Sequence, residues 1–472
     1  MKRIIVFGTG SSAEKLLSSL DYSQVQISFF VDNNEKNQYM KFRGYDIFHP
    51  KEIIKAKYDY IIIASQYSVE IMQQLLNYNI SFNKIIPSDS YTHNNDIKSM
   101  QDEIYKGITI HDEVNNNKLK IALINYNYSN YNGYSLFRKL PKYIQNKYEI
   151  DLIEIQDKEK LMEYDVICSS HYDGIYDRKH INLELWHGFP LKQMGNMHYE
   201  TNQESLNYYR NRSDNTNLIF SYSQLYSTFF NACFSNSGDK YRITGMPRND
   251  LLFEKGSLVK LEKICQRTLM DTNIVFFLPT WKKGKNKKIE SNREWSKLFG
   301  FSNENEENIV KMLERNNLFL LVKLHPYEYD VYKDMDIFKH DRVFLLSEEH
   351  LIQNRIHLYE LLNCGKMLIT DYSSIYFDTL LVDMPIIFTP FDINEYSKKR
   401  GFLIEPYDFF TPGPKVEKLE ELEEEIARYI SGKDQYKDKR ERIKNIVFKY
   451  TDNKASLRVW KEIDKYLSKN RT

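Results

Sequence analysis

The sequence predicts an α/β protein built on parallel sheets, and three observations carry that prediction. Short apolar runs of strand length alternate with stretches of helical spacing along most of the chain. The first of these runs ends in a glycine turn, GTGSSA at 8–13, which opens a helix. In the second half, polar clusters follow the apolar runs at once. The carboxyl ends of parallel strands lie along one edge, where such folds hold ligands, so these clusters can converge.

Residues 1–112 read as a small Rossmann-like α/β domain of their own. Strands are expected at 3–7, 25–31 and 58–65, with a helix at 13–20. Gly8 and Gly10, with Asp32 about 20 positions on, match the G-x-G-x-x-G/A dinucleotide pattern in its strand-turn-helix setting. Gly8 and Gly10 would allow close approach to a pyrophosphate, and Asp32 would hold ribose hydroxyls. No reductant-handling site accompanies them, so catalytic NAD use, nucleotide sensing and a docking module all stay open. From 94 to 117 the chain turns polar and loses periodicity, which marks a linker.

A second α/β domain runs over 113–250. Strands are expected at 121–126, 150–155, 165–169, 183–186, 217–221 and 241–244, and a helix at 134–144. The strand at 183–186 leads directly into His187-Gly188, which leaves His187 at the carboxyl edge, where an imidazole can act as a general base, although alone it is better explained as a capping or packing histidine. GMPRND at 245–250 reads as a cleft rim, although alone it is as well explained as a solvated turn.

The third stretch, 251–415, carries strands at 274–278, 318–324, 343–346, 367–369 and 386–388. They end at Thr280, at His325 just after Lys323, at Ser347, at Asp371-Tyr372-Ser373-Ser374, and at Thr389. Between 366 and 392 a strand breaks at a Ser-Ser turn and opens a helix, aiming amides and two hydroxyls at one point suited to phosphate. Read alone, Asp371, Ser373 and Ser374 merely cap that helix. In a parallel sheet, Thr280, Lys323, His325, Ser373, Ser374 and Asp378 converge, and four such clusters are hard to assign to chance. Lysines 282, 283, 285, 287 and 288 crowd one loop, either as a solvated segment or as a contact for an anionic polymer or membrane surface. Residues 416–472 read as C-terminal helices packing back on the preceding domains.

Composition sets outer limits. With 472 residues the chain can hold two or three domains with sizeable cores. A net charge of +1 gives no basic field for general nucleic-acid binding. The four cysteines show no CxxC spacing, which suits a reducing cytoplasm and no zinc framework. No apolar run reaches the roughly 18 residues of a membrane span, so a soluble or peripheral protein is expected. The 36 Tyr and 27 Phe are so evenly frequent that tyrosine-rich patches carry little site information.

Six motifs in fixed order then show a resemblance: WHGFPLKQMG (186–195), TGMPRND (244–250), LPTW (278–281), KLHPYEY (323–329), ITDYSSIYFD (369–378) and KKRGF (398–402). Together over about 120–465 they resemble the CDP-glycerol glycerophosphotransferase family, the teichoic-acid primases and polymerases. The resemblance implies a GT-B-like pair of Rossmann-type domains, the first for acceptor and the second for donor. It implies transfer of glycerol phosphate or ribitol phosphate from CDP-glycerol or CDP-ribitol to an acceptor hydroxyl, with release of CMP. The acceptor is then a lipid-linked or polymeric glycan or polyol phosphate, and the setting is the cytoplasm, peripheral at the inner face of the membrane.

Carried onto these residues, the family makes His187 the base. His325 and Lys323 stabilise pyrophosphate and departing CMP, Ser373 and Ser374 hold phosphate oxygens with Thr280 beside them, and Asp378 accepts from donor hydroxyls. Arg248 and Arg400 are further phosphate partners. No metal or other cofactor is implied for transfer, and a nucleotide on the N-terminal domain stays open. Phe189 stands where the family usually has a small polar residue such as Thr, which bears on polyol identity. Two other readings remain: a GT-B glycosyltransferase using a nucleotide-sugar, and a nucleotide- or NAD-binding regulator led by the N-terminal domain.

Overall fold

A computed structural model describes residues 2–23, 25–81, 84–87, 118–126, 131–177, 179–280 and 297–469. The expected lysine-rich loop and the whole of the expected linker lie outside these residues. Among the described residues, seventeen strands form three sheets. The first holds β1 (Lys2–Phe7), β2 (Val25–Val31), β3 (Lys41–Phe42), β4 (Tyr45–Phe48), β5 (Tyr60–Ile63) and β6 (Ile85–Pro87), in the order β3-β4-β2-β1-β5-β6. The second holds β7 (Lys120–Asn125), β8 (Glu149–Glu154), β9 (Val166–Ser169), β10 (Ile181–Glu184), β11 (Thr216–Ser221) and β12 (Tyr241–Ile243), in the order β12-β11-β10-β9-β7-β8. The third holds β13 (Asn273–Phe277), β14 (Leu318–Val322), β15 (Val343–Leu345), β16 (Met367–Thr370) and β17 (Ile386–Phe388), in the order β15-β14-β13-β16-β17. The expected fold class, a GT-B-like pair of Rossmann-type sheets after a small α/β domain, is what the chain adopts.

Contacts divide the chain into two units. One comprises Met1–Ala122, Ile153–Ile167 and Gly174–Asn182; the other comprises Leu123–Leu152, Cys168–Asp173 and Leu183–Thr472. In the first unit, β1 pairs in parallel with β2 and β5. Ile4 and Val6 point into a core with Ala13 and Leu16 of the helix Ser11–Ser19, while Ile5 and Phe7 on the opposite face are also buried. A strand covered on both faces needs an unbroken apolar run, which is what IIVF at 4–7 supplies.

The same rule builds the third sheet. Val275, Phe277, Leu320, Val322, Met367 and Ile369 alternate onto one face, against Met312, Leu313, Leu422 and Ile426. Ile274, Phe276, Leu321 and Leu368 fill the other. β13 pairs in parallel with β14 and β16, and β16 with β17, so their carboxyl ends share one edge. Elsewhere in the second unit, the single helix expected at 134–144 is two, Asn132–Arg138 and Lys142–Lys147, because Pro141 cannot continue a helix and sits before the second. The last helix, Ala455–Lys469, is held at its start by Asp250, whose carboxylate accepts from the backbone N–H groups of Ala455 and Ser456 at 2.9 and 2.8 Å.

Candidate active site

The strand expected at 183–186 ends two residues early, at Glu184. Leu185 still donates to the Ser169 carbonyl at 2.8 Å. Trp186 then turns left-handed, with φ of 51°, and this turn delivers His187 to a cleft of about 540 Å³ in the second unit. His187 Nδ1 lies 2.9 Å from the carbonyl oxygen of Ser170. A carbonyl only accepts, so Nδ1 carries the hydrogen and Nε2 keeps its lone pair. The ring stacks on His171, centroids 4.0 Å apart and planes 7° from parallel. Burial holds the His187 pKa down to about 4; the Ser170 bond opposes this, while Arg248 and Lys192 reinforce it. The side chain is therefore neutral and proton-accepting near pH 7.

His325 reaches the same cleft from just beyond β14. Its backbone carbonyl accepts from the N–H groups of Glu328 and Tyr329, starting the helix Pro326–Tyr332. Burial, then the charges of Lys323 and Lys192, lower its pKa to about 4 as well. Ser373 and Ser374 line the cleft after β16. Ser374 stands at the N-cap position of the helix Ile375–Thr379, but its side chain makes no capping hydrogen bond, so the cap reading is not what the hydroxyl does. Gly188 lies against it: a Cβ there would come within 2.7 Å of Ser374 Oγ.

Arg248 and Arg400 both line the cleft, each partly committed to the protein. Arg400 Nη1 donates to the Gln193 carbonyl at 2.7 Å. Arg248 Nη1 donates to the His187 carbonyl at 2.7 Å, and Nη2 pairs with Asp378. The guanidinium thus supports the His187 turn from beneath while facing the cleft.

Two expected donor contacts are placed differently. Asp378 is fully buried and accepts from Arg248 and from the hydroxyls of Tyr222 and Tyr359, each at 2.6 Å. It lies one helical turn below Ser374, so it points into the interior and holds Arg248 instead of meeting donor hydroxyls. Lys323 is buried and ion-paired with Glu348, outside the cleft lining. The lysine that does line the cleft is Lys192, whose Nζ donates to Thr280 Oγ1 at 3.4 Å. Thr280 is buried, its backbone N–H donating to Asp371 at 2.7 Å. Phe189 turns its ring to Phe377, centroids 4.4 Å apart, so the unusual residue is an apolar link between turn and helix.

The N-terminal residues form their own arrangement. The Gly8 amide donates to the Val31 carbonyl at 2.8 Å, and a Cβ on it would lie 2.6 Å from the Ala64 carbonyl oxygen. The glycine is thus required by strand packing at its φ of 108°. Gly10 starts the helix Ser11–Ser19 with open space around it. The Asp32 carboxylate accepts from the Thr9 hydroxyl, from Asn37 at 3.4 Å and from the Asn34 N–H at 2.8 Å. It closes its own loops, where the sequence suggested ribose hydroxyls.

Sequence reasoning passed over His171, Lys192, Tyr222 and Tyr359. His171 follows β9 within SSHYDG, another polar cluster at a strand's carboxyl end, so the rule used elsewhere would have found it. The two tyrosines were hidden by the chain's general richness in tyrosine. Among the described residues, no helix is long and apolar enough to cross a membrane. No group of three or more His, Cys, Asp or Glu among them could hold a metal ion.

Residues 173–465 match the family model described as CDP-Glycerol:Poly(glycerophosphate) glycerophosphotransferase, and residues 1–86 match one described as C2185-like, N-terminal. A teichoic acid glycerol-phosphate transferase of Staphylococcus aureus is 26% identical over 53% of this chain and 64% of its own length. A teichoic acid poly(glycerol phosphate) polymerase of Bacillus spizizenii is 29% identical over 52% of this chain and 60% of its own. The chain thus spans less than two thirds of each of these relatives. A solved structure of the wall teichoic acid polymerase TagF superposes with a TM-score of 0.59 at 20% identity, over 75% of this chain and 90% of that one, a likeness of fold.

Proposed function

The chain belongs to the CDP-Glycerol:Poly(glycerophosphate) glycerophosphotransferase family, and from that premise we propose that it transfers glycerol phosphate or ribitol phosphate from a CDP-activated donor to an acceptor hydroxyl. CMP leaves, and the product is a teichoic acid or teichoic-like capsule polymer. The acceptor is a lipid-linked or polymeric glycan or polyol phosphate, met by the segment 113–250, with the CDP donor on 251–415. The reaction takes place in the cytoplasm, peripheral to the inner face of the membrane.

One observation carries this reading. His187 and His325 come from the carboxyl ends of strands in different sheets and line a single cleft with Ser373, Ser374, Lys192, Arg248 and Arg400. The acceptor oxygen attacks the phosphorus that bears the polyol, and the bond from that phosphorus to the CMP oxygen breaks. His187 Nε2 takes the acceptor proton. The charge on the departing CMP phosphate is met by His325, which donates to it, and by the cations. The hydroxyls of Ser373 and Ser374 donate to phosphate oxygens, and Lys192 takes the role the sequence assigned to Lys323. Such a site works by positioning and charge stabilisation. Asp378 and Lys323 act through the groups they hold.

The test is His187→Ala. Removing a general base costs about 10²- to 10⁴-fold in rate, while the dissociation constant of the CDP-polyol should stay within about twofold. Transfer within tenfold of wild type, or loss of donor binding, removes His187 from the role of base.

A further inference from the structure

We propose that Glu184 is a positioning residue for His187: its buried carboxylate ties together the two loops between which the bond that sets the His187 tautomer is made. The proposal deepens the reading of His187 as a base and rests on it for its kinetic consequence, though not for its geometry.

The carboxylate is 1% exposed, at the end of β10. Its Oε1 accepts from the Trp186 N–H at 2.7 Å, and its Oε2 accepts from the Tyr172 N–H at 3.0 Å. The Ser169 hydroxyl is its third partner, while the same Oγ accepts from the N–H groups of His171 and Asp173 at 3.2 and 2.8 Å. Burial pushes the Glu184 carboxyl up, and the hydrogen bonds it accepts pull it back toward the ionised form. Both oxygens receive N–H donors, so a carboxylate fits where an amide would set its own NH₂ against one of them.

What these bonds hold is unusual backbone. Trp186 and Tyr172 both adopt left-handed conformations, with φ of 51° and 55°, although neither is glycine. Such residues persist where the surroundings over-determine them. Trp186 is held on its other side too, its carbonyl accepting from Asn132 Nδ2 at 2.7 Å. One residue after Trp186 comes His187; two residues before Tyr172 comes Ser170, whose carbonyl receives the His187 Nδ1–H. The histidine and its acceptor therefore sit on two separate loops, and Glu184 bonds to both. Without it, the Ser170 carbonyl and the imidazole lose their common anchor, and Nε2 is no longer held as the lone-pair nitrogen facing the cleft.

The experiment compares Glu184→Gln with wild-type protein in two readouts. With ¹⁵N-labelled histidine, NMR should show the His187 ring of the wild type as the single Nδ1–H tautomer and that of the variant as a mixture. In the transfer assay, kcat should fall by roughly 100-fold, the effect of about 1 Å of misplacement, with KM for the CDP-polyol within about twofold. An unchanged tautomer overturns the proposal, as does wild-type kcat. If Glu184→Gln does not fold, Glu184→Asp keeps the charge but draws the carboxylate one methylene back from the Trp186 and Tyr172 N–H groups. It should give a shift of the same kind, about tenfold in kcat with KM unmoved, and wild-type behaviour there overturns the proposal too. Should the wild type transfer no polyol phosphate at all, the transferase reading fails by itself, and the tautomer comparison still decides the role of Glu184.

Discussion

Gly188→Ala should weaken donor binding by acting through one hydroxyl. A Cβ at position 188 would lie 2.7 Å from Ser374 Oγ, with Ser374 Cβ and Arg248 Nη2 each at 3.6 Å. Ordinary contact begins near 3.4 Å, so the hydroxyl must withdraw by roughly 0.7 Å or rotate to another well. The backbone at 188 has φ of 158°, a conformation that L side chains rarely adopt, so the cost to folding should be about 1–3 kcal/mol of backbone strain beyond the displacement of the serine hydroxyl. The effect on the donor is separate. A hydrogen bond to a charged group contributes about 1.5–3 kcal/mol, and losing one from a phosphate oxygen raises the dissociation constant roughly 10- to 150-fold.

Calorimetric titration with CDP-glycerol and CDP-ribitol measures that loss directly, and a double-mutant cycle assigns it. Ser374→Ala should show a loss of the same size. In the Ser374→Ala background the added Cβ meets nothing closer than 3.6 Å, so Gly188→Ala should add little there. The coupling energy then nearly equals the single effect. Additive losses, or a Gly188→Ala protein with wild-type affinity, would refute the assignment of Ser374 to the donor phosphate.

Donor binding should take up a proton. His325 has its pKa lowered to about 4 by burial and by the nearby lysines, and a pyrophosphate beside it favours the charged form and raises that value. Because the complex then binds the proton more tightly than the free protein, affinity should rise as pH falls through the pKa of the complex, and level off below about 4. Titrations in buffers of different ionisation enthalpy should show proton uptake in the wild type and less in His325→Ala. Asp378→Asn should destabilise the second unit by about 3–5 kcal/mol, because it leaves the Arg248 guanidinium buried without its counter-ion. Denaturant unfolding measures this, and Tyr222→Phe, which removes a single hydroxyl donor, should cost only about 1 kcal/mol.

The strands were legible because parallel strands buried on both faces require continuous apolar runs, and their carboxyl ends identified His187, His325, Ser373 and Ser374 as neighbours in space. What lay hidden was partnership across long separations. Nothing local to Asp378 says that Arg248, Tyr222 and Tyr359 converge on it. Nor does KLHP disclose that Glu348 captures Lys323. Both residues carry the charge expected of a phosphate or ribose contact, and both spend it inside the protein. The strand before His187 was read two residues too long because Leu185 and Trp186 continue its apolar pattern, while the left-handed turn at Trp186 depends on Glu184 and Asn132, which supply bonds that periodicity does not show.

The central claim is tested most directly by the thermal stability of the purified protein with CDP-glycerol, CDP-ribitol, a UDP-sugar and NAD in separate samples, since none of these needs an acceptor. At about 100 times its dissociation constant a ligand adds roughly 2.7 kcal/mol. A CDP-polyol should stabilise the protein, with the UDP-sugar and NAD leaving it unchanged. Stabilisation by the UDP-sugar alone would make the protein a glycosyltransferase, and stabilisation by NAD alone would move the function to the N-terminal unit.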